Sequence, residues 1–209
     1  MSTYAHFPNF ELIEIVNELE LPFNKRRPLQ PLKTGAVVRN FGLDKAFNNW
    51  RHFYNGSASY GHLLVRKLLS KPLVISFWSP QWGEYGVSHL RQLNNLQQEI
   101  RALGGNLLII TSDATPKQIE DITWANSLSL SFYIDADNTL GKAFGIYSEQ
   151  NPAWNRYSGI DNNISLLATY VLDAGQQVIY DHIDTDVYQS VNSNFLLAAV
   201  RGTSYRQTA

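Results

Sequence analysis

Two rhythms of apolar residues alternate along the middle of this chain. Leu73 to Phe77 is a short apolar run closed by Pro72 on one side and Ser79-Pro80 on the other. A run of that length between turn residues suits a strand buried on both faces. From Gly86 the spacing changes. Val87, Leu90, Leu93, Leu96, Ile100 and Leu103 recur at threes and fours until Gly104-Gly105, which predicts an amphipathic helix and its stop. Leu107 to Ile110 is a second buried strand. Thr115-Pro116-Lys117-Gln118 reads as a capping box with proline at the first helical position, and Ile119, Ile122 and Ala125 follow on one face. Leu130 to Ile134 is a third strand. Asp135-Ala136-Asp137-Asn138 is a turn and cap, and Leu140 to Phe144 a short helix closed by Gly145. Leu166 to Leu172 is a further strand. Asp173-Ala174-Gly175-Gln176 turns it into a partner at Val178 to Tyr180, with positive φ expected at Gly175. A last helix lies around Phe195 to Val200.

The order from Leu73 is therefore β-α-β-α-β-α-β-β-α. Helices between the first strands imply parallel crossovers, and the hairpin adds antiparallel strands. The expectation is an α/β fold, a three-layer α/β/α sandwich on a central mixed β-sheet.

Upstream the pattern is looser. Asn9 caps a helix predicted to run to about Glu20, where Leu12, Ile15, Val16 and Leu19 form one apolar stripe. That stripe packs on the parent domain or joins two copies in a homodimer. Pro22, Lys25-Arg26-Arg27-Pro28 and Pro31 make a linker. Ala36 to Leu43 reads as a short strand, Phe47 to Gly61 as loop, and Ser59 as the start of a helix carrying Leu63, Leu64, Leu68 and Leu69. Residues 148–165, with Trp154 and Tyr157, form a long irregular loop of the kind that often carries function. The division is an extension and linker over 1–30, a domain over 31–203 and a C-terminal tail over 204–209.

Composition removes more functions than it suggests. The formal net charge of -1 over 209 residues gives no global attraction to nucleic acid or to an anionic membrane. No apolar run reaches the ~20 residues that cross a bilayer, and the start of the chain has no signal-peptide pattern, so the expected location is cytoplasmic. There is no cysteine, which excludes disulfides, thiolate catalysis and thiolate metal ligands. No phosphate loop, dinucleotide fingerprint or nucleophile elbow is present, and no cofactor is expected. His89 stands alone on the long helix and reads as packed or solvated. His182, Asp184 and Asp186 alternate as strand residues on one face would, but they are read as a strand end and connection. Asp135 and Asp137 are turn acids. No metal site is assigned.

Four strings carry a resemblance. Phe77-Trp78-Ser79-Pro80-Gln81-Trp82-Gly83-Glu84-Tyr85-Gly86 is similar to a strand followed by Trp-Cys-Pro-Tyr-Cys. Asp135 to Gly145 resembles an Asp-rich turn and short helix. Ala168-Thr169-Tyr170-Val171-Leu172-Asp173-Ala174-Gly175 resembles a Pro-Ala-Thr-Tyr-Val-Ile-Asp-x-x-Gly hairpin, and Leu32 to Leu43 an opening strand stretch. Together, over about Leu32 to Arg201, they resemble the AhpC/TSA (peroxiredoxin-like, redoxin) family of the thioredoxin fold. The resemblance implies peroxide or disulfide chemistry, which needs a thiolate. Here Gly83 and Gly86 stand where the family has its two cysteines, and Leu167 where the fold places a cis-proline. The two glycines are therefore vestigial active-site positions, with no catalytic residue assigned. The candidate binding surface is Pro80, Trp82, Glu84, Tyr85, Leu167, Ala168 and Thr169, for a protein partner or a small ligand. The expected function is a non-catalytic binding or interaction module. The alternative is an antioxidant oxidoreductase working only with a bound cofactor or a cysteine-bearing partner.

Overall fold

The computed structural model describes residues 28–39, 51–54, 57–60, 71–153, 157, 159–185 and 189–207. The N-terminal helix with its Leu12-Ile15-Val16-Leu19 stripe lies outside them, as do the basic triplet at 25–27, residues 40–43 of the first strand, Leu63 to Leu69, Trp154 and Asp186.

A hairpin comes first, β1 (Arg51–Tyr54) against β2 (Ser57–Tyr60), with Tyr54 opposite Ser57. This corrects the loop expected over 47–61 at residues 51–54 and 57–60, and the helix start expected at Ser59; the rest of that helix lies outside the described residues. The signal was in the sequence: Asn55-Gly56 is the dipeptide that two-residue hairpin loops favour. The main sheet has five strands in the order β5-β4-β3-β6-β7. They are β3 (Leu73–Phe77), β4 (Asn106–Thr111), β5 (Phe132–Ile134), β6 (Ala168–Leu172) and β7 (Val178–Ile183). β3, β4 and β5 run parallel, while β6 and β7 are antiparallel to their neighbours. The sheet is mixed, as expected. The predicted strand at 36–43 is a single bridge in its described part, Val37 opposite Gln177.

Four helices are described: α1 (Gly83–Ala102), α2 (Pro116–Ala125), α3 (Thr139–Ala143) and α4 (Ser193–Gln207). The capping box at Thr115 forms in both directions, a gain of about 1 kcal/mol. Asp135 starts α3 by accepting the N–H groups of Thr139, Leu140 and Gly141 at 3.0, 2.8 and 3.3 Å. Burial pushes its carboxyl above the usual carboxylate range, against the pull of those three donors. In the β6–β7 turn the left-handed residue is Gln176 (φ 63°), and Gly175 is not left-handed. The cause is Asp173, whose Oδ1 accepts from the amides of Gly175 and Gln177 and sets the turn. α4 runs to Gln207, beyond Val200 and into the residues assigned to a tail.

Alternation along the strands sends side chains to two cores. Val74, Trp78, Leu107, Ile109, Leu167 and Val171 meet α1, α2 and α4 through Leu90, Leu93, Ile100, Ile119, Leu196 and Val200. Leu73, Ile75, Phe77, Leu108, Ile110, Tyr170 and Leu172 meet Leu140 of α3 and Phe144 just after it, with Leu29 and Leu32 packed alongside. These are the layers of a thioredoxin-like α/β sandwich. On the first face β3 delivers the chain to the start of α1, where the candidate site lies.

Candidate functional site

The turn between β3 and α1 is held from three sides. Ser79 caps a single 3-10 turn, Pro80–Trp82, by accepting the Gln81 N–H at 3.1 Å. Its own hydroxyl donates to Asp113 Oδ2 at 2.6 Å, and Gln81 Nε2 donates to the same oxygen at 3.1 Å. Asn162 N–H donates to Gln81 Oε1 at 3.2 Å, which ties in the loop before β6. Asp113 follows β4, beside the exit of β3, so two parallel strands end on one carboxylate. Sequence reasoning passed over Ser79, Gln81 and Asp113. The usable signal was position, since groups at the carboxyl ends of adjacent parallel strands converge.

Gly83 and Gly86 come next, and each is fixed by a different constraint. Gly83 has φ 55° and ψ -142°, a region that side-chain-bearing residues essentially avoid, and its α-carbon faces open space. Gly86 is buried in the first turns of α1. A β-carbon there would lie 2.7 Å from Trp82 Cβ and 2.8 Å from Trp78 Nε1. The indole of Trp78 thus occupies the room that a side chain at position 86 needs. Trp78 packs edge-on to Phe132 with ring centres 6.0 Å apart, and Trp82 packs edge-on to Tyr157 at 5.2 Å. Neither indole N–H finds a partner among the described residues.

Burial divides the expected binding surface. Trp82 is 6% exposed, Leu167 1%, and Ala168 and Thr169 are fully buried, so these four are core and present no face to a ligand. The placing of Trp82 on the binding surface is corrected accordingly: its ring is spent on Tyr157 and the first helix-side core. What remains accessible is a rim of exposed Gly83 and Glu84 with half-buried Pro80 and Tyr85. Tyr85 O–H donates to the Gln189 carbonyl at 3.1 Å. Two grooves lie elsewhere, about 450 Å³ beside Lys142, Tyr147 and Leu29, and about 510 Å³ beside Asn94, Gln98 and Arg101.

Behind the turn the same sheet face is polar. His89 is buried, with Nε2 2.8 Å from Ser76 Oγ and 3.2 Å from Thr169 Oγ1, and the two hydroxyl oxygens are 3.0 Å apart. Burial, and then the charge of His182, depress the His89 pKa to about 3, so the ring is neutral. Ser76 sits inside the apolar run at the same parity as Val74 and Trp78, which is the sequence signal that it faces α1. His182 is half-buried on β7 and donates from Nε2 to the Gln189 carbonyl at 2.9 Å, while Asp184 follows the strand and is buried. No group of three or more metal-ligating side chains occurs among the described residues. No helix among them is long and apolar enough to cross a membrane.

The AhpC/TSA family model matches residues 56–181 of the chain. No match is found among curated proteins. Among solved structures, the bacterioferritin comigratory protein of Xanthomonas campestris superposes with a TM-score of 0.55 at 18% identity, over 81% of this chain and 99% of that one. A peroxidoxin of Mycobacterium tuberculosis gives 0.55 at 18%, over 82% and 97%. The AhpC of Enterococcus faecalis gives 0.56 at 12%, over 74% and 86%. At these identities the likeness to the solved structures is one of fold.

Proposed function

The chain belongs to the AhpC/TSA family, and we propose that within it this protein is a non-catalytic binding or interaction module. One observation carries the reading. Both positions that match the family's active-site thiols are glycine, and the surroundings of each have become specific for glycine. Gly83 holds a backbone conformation that excludes other residues, and Gly86 has lost its side-chain space to Trp78 and Trp82. Attack on a peroxide oxygen or a disulfide sulfur needs a thiolate, and the chain has none. Alkyl peroxide reduction is ascribed to the Xanthomonas relative; for this chain we propose no such turnover.

Support for a binding role comes from the rim that stays open. Gly83 and Glu84 are exposed at the start of a 20-residue helix, flanked by Pro80 and Tyr85. The turn beneath is pinned by Ser79, Gln81 and Asp113, so the rim is presented without the ordering cost that a loose loop would carry on binding. The occupant is a protein partner or small ligand that meets one carboxylate and one phenol ring.

The test is peroxide consumption by the purified protein with a thiol reductant. The expected rate equals that of the protein-free control. Turnover that disappears in Trp82→Ala or Glu84→Ala overturns the reading. So does a copurified chromophore that supports turnover, or activity restored by a cysteine-bearing partner, and either moves the protein to the oxidoreductase alternative.

A further inference from the structure

A line of polar side chains crosses the sheet just behind the closed turn, and the binding reading makes no use of it. The register sets Ser76 on β3 opposite Thr169 on β6, and Thr169 opposite His182 on β7. Directly opposed residues of antiparallel strands project to the same face, so the three form one lateral row. His89 descends onto the row from α1, against Ser76 and Thr169. The inner end is sealed core, with Ser76 and Thr169 fully buried. The outer end is His182, whose Nε2–H holds the Gln189 carbonyl at 2.9 Å. That carbonyl also accepts the Tyr85 hydroxyl of α1, and two turns along the helix Gln92 Nε2 donates to the Val191 carbonyl at 2.6 Å. Residues 189–191, the approach to α4, are thereby held against α1 at the outer end of the row.

We propose that this row is an acid-sensitive clasp: protonation of the buried His89, once His182 is charged, releases residues 189–191 from α1 and uncovers the Tyr85 side of the helix. The groups facing His89 are Ser76 from β3, Thr169 from β6 and His182 from β7, two neutral hydroxyls and an imidazole that becomes a like charge. Its charge balance contains no carboxylate. Burial lowers the His182 pKa; its bond to the Gln189 carbonyl and Asp181 of its own strand favour the charged form, and Lys33 opposes it. His182 is the more accessible ring and protonates first; its bond to Gln189 survives, because Nε2–H remains a donor. His89 cannot then charge in place, beside a second cation and away from water. Tyr85, His89 and Gln92 fall at i, i+4 and i+7 on one face of α1, and the 189–191 segment is bonded to the first and last of them, so it lies along the helix face that carries His89. Hydrating His89 on that face means opening the clasp.

The experiment follows amide hydrogen exchange in the full chain from about pH 7.5 to about pH 4.5, corrected for intrinsic exchange, beside an NMR titration of the imidazoles. Protection at residues 85–92 and 189–193 is expected to fall by up to about tenfold per pH unit below the ordinary histidine range, while β3 and β4 stay protected. In His89→Gln, whose amide keeps a hydrogen-bonding group against Ser76, the fall is expected to shift down by about one pH unit or more. The proposal is overturned if native protein and His89→Gln lose protection at the same pH, or if the two segments open only when the whole chain unfolds. If His89→Gln does not fold, the titration decides. A His89 ring that titrates at its ordinary value with protection unchanged overturns the clasp, and one that titrates only as the segments open supports it.

Discussion

Ser76 on β3 and Trp78 just past its end stand two residues apart and face the same helix, yet their surroundings follow opposite rules. Around Ser76 every hydroxyl has a partner: the serine, Thr169 and His89 satisfy one another, and Ser76 also reaches the Ala168 carbonyl at 3.3 Å. Around Trp78 polar groups go unpaired, since neither its indole N–H nor that of Trp82 has an acceptor among the described residues. A buried donor without a partner costs about 1–3 kcal/mol. The chain keeps two of them where indole bulk covers Gly86. Hydrogen bonds close the polar row on itself, whereas the space around Gly86 is filled by indole bulk.

The largest effect separating the two regions is acid. The His89 pKa lies below its unfolded value, so its contribution to stability is complete above about pH 6.5 and is lost as pH falls toward about 3. Denaturant titrations should show a loss of about 1.4 kcal/mol per pH unit across that window, reduced in His89→Gln. Equal pH dependence in the two proteins would break the distinction. Ser76→Ala comes next. It strips a partner from His89 and Thr169 and should cost about 1–3 kcal/mol by equilibrium unfolding; no change would mean that the row is not satisfied as drawn. Smallest is Tyr170→Phe on the other sheet face. Among the described residues the buried Tyr170 O–H has no partner, and burial with nearby Asp181 pushes its pKa up. Removing an unpaired hydroxyl should leave stability unchanged or raise it by up to about 1 kcal/mol. A clear loss in melting temperature would show a bond there after all.

Much of the architecture was readable locally. β3 and α1 follow from apolar spacing, and the start of α2 follows from a capping box whose chemistry lies within four residues. The β1–β2 hairpin was missed because its strands are four residues each and the Asn55-Gly56 signal was not weighed. Gly175 was chosen for the left-handed position on its own merits, whereas the Asp173 side chain moves that position to Gln176. For the candidate site, the depth of burial was not readable. The family strings pointed to the turn and to the facing segment at Leu167 to Thr169. Whether Trp82 lines a cleft or fills one depends on where Tyr157 and Trp78 come to rest, and no local pattern encodes that.

Gly86 is where the account is most exposed. Equilibrium unfolding of Gly86→Cys, which restores one thiol position without touching the rest of the turn, tests it directly. Crowding against Trp78 and Trp82 should outweigh the loss of a helical glycine and lower stability by about 1–3 kcal/mol. A variant as stable as the native protein would show that the position still has room for a side chain, and that the site was never closed.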